Sequence, residues 1–138
     1  MASFTKFYCF VEDLAEKKHN LGSDTLTVAL CAAASPPSLS NTVLANITQI
    51  SYTNLSSRVL STVSSSQTTG TYKLVVSDLV LTASGGAVAA FRYIVIYNDT
   101  AANDELIGYY DYGSDLTLAD GESLTLDFNA TNGLLQLT

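Results

Sequence analysis

The sequence predicts a mainly β protein: an antiparallel β-sandwich of jelly-roll-like arrangement carrying one N-terminal α-helix. Three observations lead there. Short runs with a two-residue apolar period recur at spacings of about 8 to 12 residues, as strands of a sandwich do. Turn-forming pairs punctuate them at Gly85-Gly86, Asp120-Gly121 and Asn132-Gly133. A helical period appears once, in the first stretch of the chain. At 138 residues without a break in composition, the chain is expected to form a single domain over 1–138, with the helix in 1–20 and the sandwich in 24–138.

In the N-terminal stretch Phe4, Phe7, Tyr8, Val11, Leu14 and Ala15 recur every three or four residues behind Ser3, a candidate N-cap. Glu12, Asp13, Glu16 and Lys17 fall off that stripe, and Asn20 or Gly22 is expected to supply the left-handed C-terminal residue. From Thr25 to Leu30 the period becomes two, giving a first strand with one wet face. Ser35-Pro36-Pro37-Ser38 ends it, since proline cannot donate to a ladder. A short strand is expected over Ile47–Tyr52. Thr53 to Gly70 reads as a weak edge strand followed by an exposed loop, SSSQTTG.

Thr71–Val76 and Leu79–Ala83 are rich in β-branched residues and form either two strands or one bulged strand. Phe91, Tyr93, Val95 and Tyr97 should share one face of the next strand, with Arg92, Ile94 and Ile96 on the other. Both faces are mainly apolar, so this strand is central. After a solvated Asn/Asp-rich connection, Leu106 to Tyr112 returns antiparallel, with Gly108 as a bulge or close-packing point. Asp120-Gly121 then joins Leu116–Leu118 to the alternating Leu124, Leu126 and Phe128 as a hairpin, and Asn132-Gly133 repeats the device.

Charged residues make up only 14% of the chain against about 25% in an average domain. Ser, Thr and Asn must therefore carry the polar surface. A net charge of -7 with six Lys and Arg argues against nucleic acid and anionic membranes as partners, because phosphate recognition needs clustered cations. Lys17, Lys18 and His19 come nearest to a cluster, and at a helix end they complement its dipole. The N-terminal stretch has neither the basic leader and apolar core of a signal peptide nor the length of a membrane span. Cys9 and Cys31 read as small buried apolar residues in a reducing compartment, or as one bridge, but not as a disulfide framework. The sequons at Asn46, Asn54, Asn98 and Asn129 are expected by chance in so Ser/Thr/Asn-rich a chain.

The residues give no catalytic constellation. His19 is the single histidine, so any Ser-His-Asp or Cys-His unit would have to use it, and it is expected on the surface at a helix end. Cys9, His19 and Cys31 lack zinc-site spacing. Asp111, Asp115, Asp120 and Glu122, with Asp99, Asp104 and Glu105, could in principle hold calcium or cleave a glycoside, but no calcium-loop pattern is present. The alternative is that these acids solubilise turns and guard strand edges. Gly85-Gly86-Ala87 lacks the Lys and helix of a phosphate loop. The chain is therefore expected not to be an enzyme, with no cofactor and no metal. Tyr109 and Tyr110 are adjacent, so at least one should face outward, and Tyr is enriched at protein interfaces. Phe4, Phe7, Tyr8, Tyr109, Tyr110 and Tyr112 are the interface candidates, with core packing and cross-strand pairing as their other reading.

Three segments, SFTKFYCFVEDLAEKKHNLGSDTLTVAL, SSQTTGTYKLVVSDLVLTASGG and FRYIVIYNDTAANDELIGYYDYGSDLTLADGESLTLDFNATNGLLQL, cover most of the chain. Through them it resembles a family of small tailed-phage structural proteins encoded beside the major capsid protein; Ser35 to Ser66 matches least well. The resemblance implies a capsid cement, or decoration, protein of jelly-roll-like fold outside an HK97-type shell, tying neighbouring capsomers together. It further implies the major capsid protein as partner, a homo-oligomer (dimer or trimer) on the capsid, and a virion location after synthesis in the bacterial cytoplasm. A phage tail or receptor-binding module that recognises carbohydrate is the alternative.

Overall fold

The structure, a computed structural model, describes residues 3–138. Nine strands and one α-helix build it: β1 (Thr5–Lys6), α1 (Cys9–Ala15), β2 (Leu26–Cys31), β3 (Thr62–Thr68), β4 (Thr71–Val76), β5 (Leu79–Thr82), β6 (Phe91–Asn98), β7 (Leu106–Leu116), β8 (Ser123–Leu126) and β9 (Leu135–Leu137). A four-stranded antiparallel sheet runs β1-β7-β6-β2. Facing it are a three-stranded ladder, β3-β4-β9, and a two-stranded one, β5-β8, both antiparallel. The second layer is thus split, and the ladders do not reproduce the two four-stranded sheets of a jelly roll.

The core lies between the layers. Leu26, Val28 and Leu30 of β2, Ile94 and Ile96 of β6, and Ile107 of β7 meet Leu74, Leu81, Leu126 and Leu135 from the opposing ladders. A smaller cluster of Phe7, Ala29, Cys31, Val95, Tyr97 and Leu106 covers the other face of the four-stranded sheet, capped by Leu44 and Ile47. β6 is therefore central and covered on both sides, as its two apolar faces require. Phe91 departs from the expected alternation: it joins Ile94 and Ile96 rather than Val95 and Tyr97. A register irregularity between Phe91 and Tyr93, with Leu116 and Asp111 as their partners on β7, turns its side chain over.

The N-terminal expectation is corrected most. The helix has seven residues and begins at Cys9, not behind Ser3, and the first two positions of the expected 1–20 segment lie outside the described residues. Thr5 and Lys6 instead pair with Tyr109 and Gly108, and the Phe7 amide donates to the Ile107 carbonyl. Phe4 then packs into the main core and Phe7 into the smaller one, on opposite sides of the sheet, which a strand permits and one helical stripe does not. Within α1 the inward residues are Phe10 and Asp13, while Val11 is exposed.

The helix stops because Lys17, not Asn20 or Gly22, takes the left-handed conformation at φ 66°. The Lys18 amide reaches the Asp13 carbonyl and the Lys17 amide that of Leu14, a Schellman arrangement.

Four further expectations change. All six residues of β2 are buried, because both faces of its sheet are covered and the irregular 50–60 segment lies along its outer edge. Amide bonds from Val28 to the Arg58 carbonyl, Leu60 to Leu26 and Ile50 to Leu30 fasten it there. Ile47–Tyr52 is accordingly not a strand, and a 3-10 turn occupies Leu44–Asn46. SSSQT belongs to β3 rather than a loop, and Thr69 and Gly70, both of positive φ, form the hairpin turn to β4. The Asp120-Gly121 and Asn132-Gly133 turns exist, with Gly121 at φ 86° and Gly133 at 77°, but they do not close hairpins. β8 pairs with β5 and β9 with β4. Thr71–Val76 and Leu79–Thr82 are two strands in different ladders, which decides between the two readings of that stretch.

Candidate interaction surface

The tyrosine-rich arm of β7 is held by both cores. Tyr109 and Tyr110 point to opposite faces, and neither is free: both faces of the sheet are covered, leaving each half-buried. Tyr109 packs on Phe7 with ring centroids 5.4 Å apart and edge-on to Tyr93 at 6.3 Å. Tyr110 lies between Phe4 at 5.4 Å and Phe128 at 6.2 Å. Burial pushes its phenol up to about 12. Gly108 makes the approach of β1 feasible, since a Cβ there would stand 2.6 Å from Phe4 Cε2 and 2.7 Å from the Thr5 carbonyl oxygen.

Of the six candidates, Phe7 is 1% exposed and can only support its neighbours, Phe4 is half-buried, and Tyr8 and Tyr112 are 68% and 50% exposed. The two exposed rings mark different surfaces. Tyr8, ahead of α1, borders a shallow hollow with Cys9, Glu12, Lys18 and Glu105, next to exposed Val11. Tyr112 rims an apolar cleft of about 340 Å³ whose walls are Phe4, Tyr110, Leu124, Phe128 and Leu134. Leu124 and Phe128 were legible as an alternating strand, but their place beside Tyr112 depends on the β5-β8 pairing and had no signal in the sequence.

The polar residues weighed for catalysis are absorbed by structure. His19 is 5% exposed, not on the surface: beyond the left-handed Lys17 the chain turns inward and stacks its ring on Phe10, centroids 5.4 Å apart. Asn98, fully buried, donates to His19 Nδ1 at 3.0 Å and to Asp24 Oδ2 at 2.6 Å, and its carbonyl accepts from the Thr100 and Ala101 amides. Burial, the dominant influence, holds the His19 pKa below its ordinary value although Asp13, Glu105 and Asp24 push it up. Asp13, 4% exposed, pairs with Lys18 at 2.8 Å.

The connection between β6 and β7 is solvated at its tip, where Asp99, Thr100, Ala102 and Asn103 are exposed, and anchored at its ends. Asn98 and Glu105 are buried at its ends, Asp99 accepts from the Thr27 hydroxyl, and Glu105 accepts from Asn103. The later acids accept from neighbouring amides: Asp111 from Gly113, Asp115 from Ala33, Asp120 from Gly85 and Glu122 from Ala119. Asp111 is also gripped by Arg92 at 2.8 and 3.1 Å, which lowers its pKa.

Among the described residues no group of three His, Cys, Asp or Glu side chains is placed to hold a metal ion, and no helix is long and apolar enough to cross a membrane. Cys9 and Cys31 are both free thiols, each pushed up to about 11, chiefly by burial. What the surface offers is contact: Val59, Val63 and Val80 join Tyr8, Val11 and Tyr112 as bulky apolar side chains exposed on several separate elements. No protein-family model matches this chain, and no curated protein and no solved structure matches it either.

Proposed function

We propose that the chain is a viral structural protein, a capsid cement protein that binds the outside of an HK97-type phage shell and ties adjacent major capsid proteins together. One observation carries the reading beyond the resemblance of sequence. Bulky apolar side chains are exposed on α1, β3, β5, β7 and the preceding segments, while Asp111, Asp115, Asp120 and Glu122 accept from the chain's own amides. A cement module needs contact surfaces toward more than one neighbour, and avidity over a repeated lattice lets each contact stay modest. Binding only the assembled shell lowers that state's free energy by mass action and slows its disassembly. An acidic outer protein of net charge -7 is also repelled by packaged DNA.

The test is co-sedimentation of the purified chain with expanded capsids and, separately, with unassembled capsid protein. Saturable binding to shells alone is expected; binding confined to tails overturns the assignment. A carbohydrate-binding tail or receptor module is the second reading, favoured by the aromatic cleft that Tyr112, Tyr110 and Phe4 border. Retention on a glycan array with no capsid binding would select it.

A further inference from the structure

We propose that β3 is a self-association edge: two copies pair β3 against β3, antiparallel about a two-fold axis at Ser65, joining their three-stranded ladders into one six-stranded sheet. β3 is the outer strand of β3-β4-β9 and is seven residues long. In its two-residue hairpin Thr68 and Thr71 form the hydrogen-bonded closing pair, so bonded pairs alternate back to Ser66 and Lys73. The amides and carbonyls of Ser65 and Gln67 therefore point away from β4, and among the described residues nothing accepts from or donates to them.

Natural edges are guarded by Lys, Pro, bulges, burial or shortness. The edge of β2 is covered by the 50–60 segment, and β1 and β9 have two and three residues. β3 has an irregularity between Thr62 and Ser64 at its start, but from Ser64 to Thr68 its register is regular and unguarded: SSSQT holds no charge and no proline, and Val63 is 64% exposed.

The same neutrality selects a second copy as the occupant. Two chains of net charge -7 repel wherever their acids meet, yet between Thr53 and Thr71 the one charged residue is Arg58. A two-fold axis at Ser65 sets Ser64 opposite Ser66 in the regular part of the strand and brings Gln67 against the irregular Thr62-Val63 end of the partner strand, so every pair is neutral and the Ser64 and Ser66 hydroxyls can bond across the strands. Isologous pairing of this kind closes at a dimer. The inference stands on the isolated chain and does not depend on capsid binding.

Sedimentation equilibrium from low to high micromolar concentration tests it, with amide exchange read at Ser65 and Gln67. The wild type is expected to approach twice its 14.6 kDa and to protect both amides as the dimer forms. Gln67→Pro removes an outward donor without touching the β4 ladder; one hydrogen bond lost per protomer raises the dimer Kd about thirtyfold. Ser66→Glu places two acids beside the axis and should also leave a monomer of unchanged circular dichroism, which keeps the test decisive if the proline variant misfolds. A wild type monomeric throughout, a dimer unaffected by Ser66→Glu, or free exchange at Ser65 and Gln67 in the dimer overturns the proposal.

Discussion

Replacing Asn98 by Asp should invert the pH dependence of stability near neutrality. In the wild type the buried amide donates to His19 Nδ1, which keeps that nitrogen an acceptor and the imidazole neutral. Phe10, Asp13, Asp24, Glu105 and Lys18 surround the ring or act on it, and burial outweighs the acids in lowering its pKa. The unfolded chain binds a proton at His19 below about pH 6.5 and the folded chain resists it. The stability is therefore full above the unfolded pKa and is lost as pH falls below it, with a slope of at most about 1.4 kcal/mol per pH unit. His19 is the single histidine, so this window belongs to it.

In Asn98→Asp the carbonyl oxygen still accepts from Thr100 and Ala101, but a carboxylate oxygen faces His19 Nδ1 and Asp24 Oδ2 where the amide stood at 3.0 and 2.6 Å. The new charge favours the imidazolium and raises the folded pKa of His19. That contribution is present below the unfolded pKa and is lost as pH rises through the folded one, so the slope reverses. At pH 8, two lost hydrogen bonds at about 1 kcal/mol each, together with facing carboxylates worth about 1 to 4 kcal/mol, leave the variant about 3 to 6 kcal/mol less stable. Urea unfolding followed by circular dichroism from pH 5 to pH 8, with His19→Gln as the flat control below neutrality, reads both the offset and the sign. If Asn98→Asp gains stability with rising pH as the wild type does, the network described for His19 is wrong.

Gly108→Ala, whose Cβ would meet the Phe4 ring and the Thr5 carbonyl, should cost about 1 to 3 kcal/mol and release β1, seen as faster proteolysis ahead of Cys9. With both thiols near 11, iodoacetamide at pH 8 should label the folded protein on the order of a hundredfold more slowly than an ordinary cysteine, and denaturant should abolish the difference. Tyr112→Ala should change stability by no more than about 0.5 kcal/mol and yet weaken capsid co-sedimentation. Tyr110→Ala, which empties the space between Phe4 and Phe128, should cost about 2 to 4 kcal/mol in thermal or urea unfolding.

The strands that were legible are those whose burial follows a simple period. β6 declares itself by two apolar faces, and β4 and β5 by β-branched runs. The 64–68 part of β3 reads as a loop behind a weak edge strand because it buries almost nothing, although Thr favours extended backbone and the turn at Thr69-Gly70 closes its hairpin. The helix was overextended because Phe4 and Phe7 happen to lie three apart: spacing cannot distinguish one helical face from two sides of a sheet when the intervening Thr5 and Lys6 are polar in either case. Strand partners were the least legible. Asp120-Gly121 is a sound turn, but a turn fixes only the local reversal, and β8 pairs with β5 rather than with Leu116–Leu118.

The polar residues were misplaced for one physical reason, and it bears on function. A histidine beside two lysines at a helix end looks solvated, and the ends of the Asn/Asp-rich connection, Asn98 and Glu105, look as exposed as its tip, because each is judged alone. Folded, they pair with one another, His19 Nε2 alone staying buried without a partner: Lys18 neutralises Asp13, Asn98 joins His19 Nδ1 to Asp24, and Thr27 donates to Asp99. The large majority of buried polar groups are paired in this way. The network locks the reversal after α1 onto the β6-β7 turn, so the segment bearing Tyr8 and Val11 is fixed to the central hairpin that bears Tyr112. Exposed contact residues held on so rigid a frame lose little entropy on binding, which is what a module repeated many times over a surface needs from each weak contact.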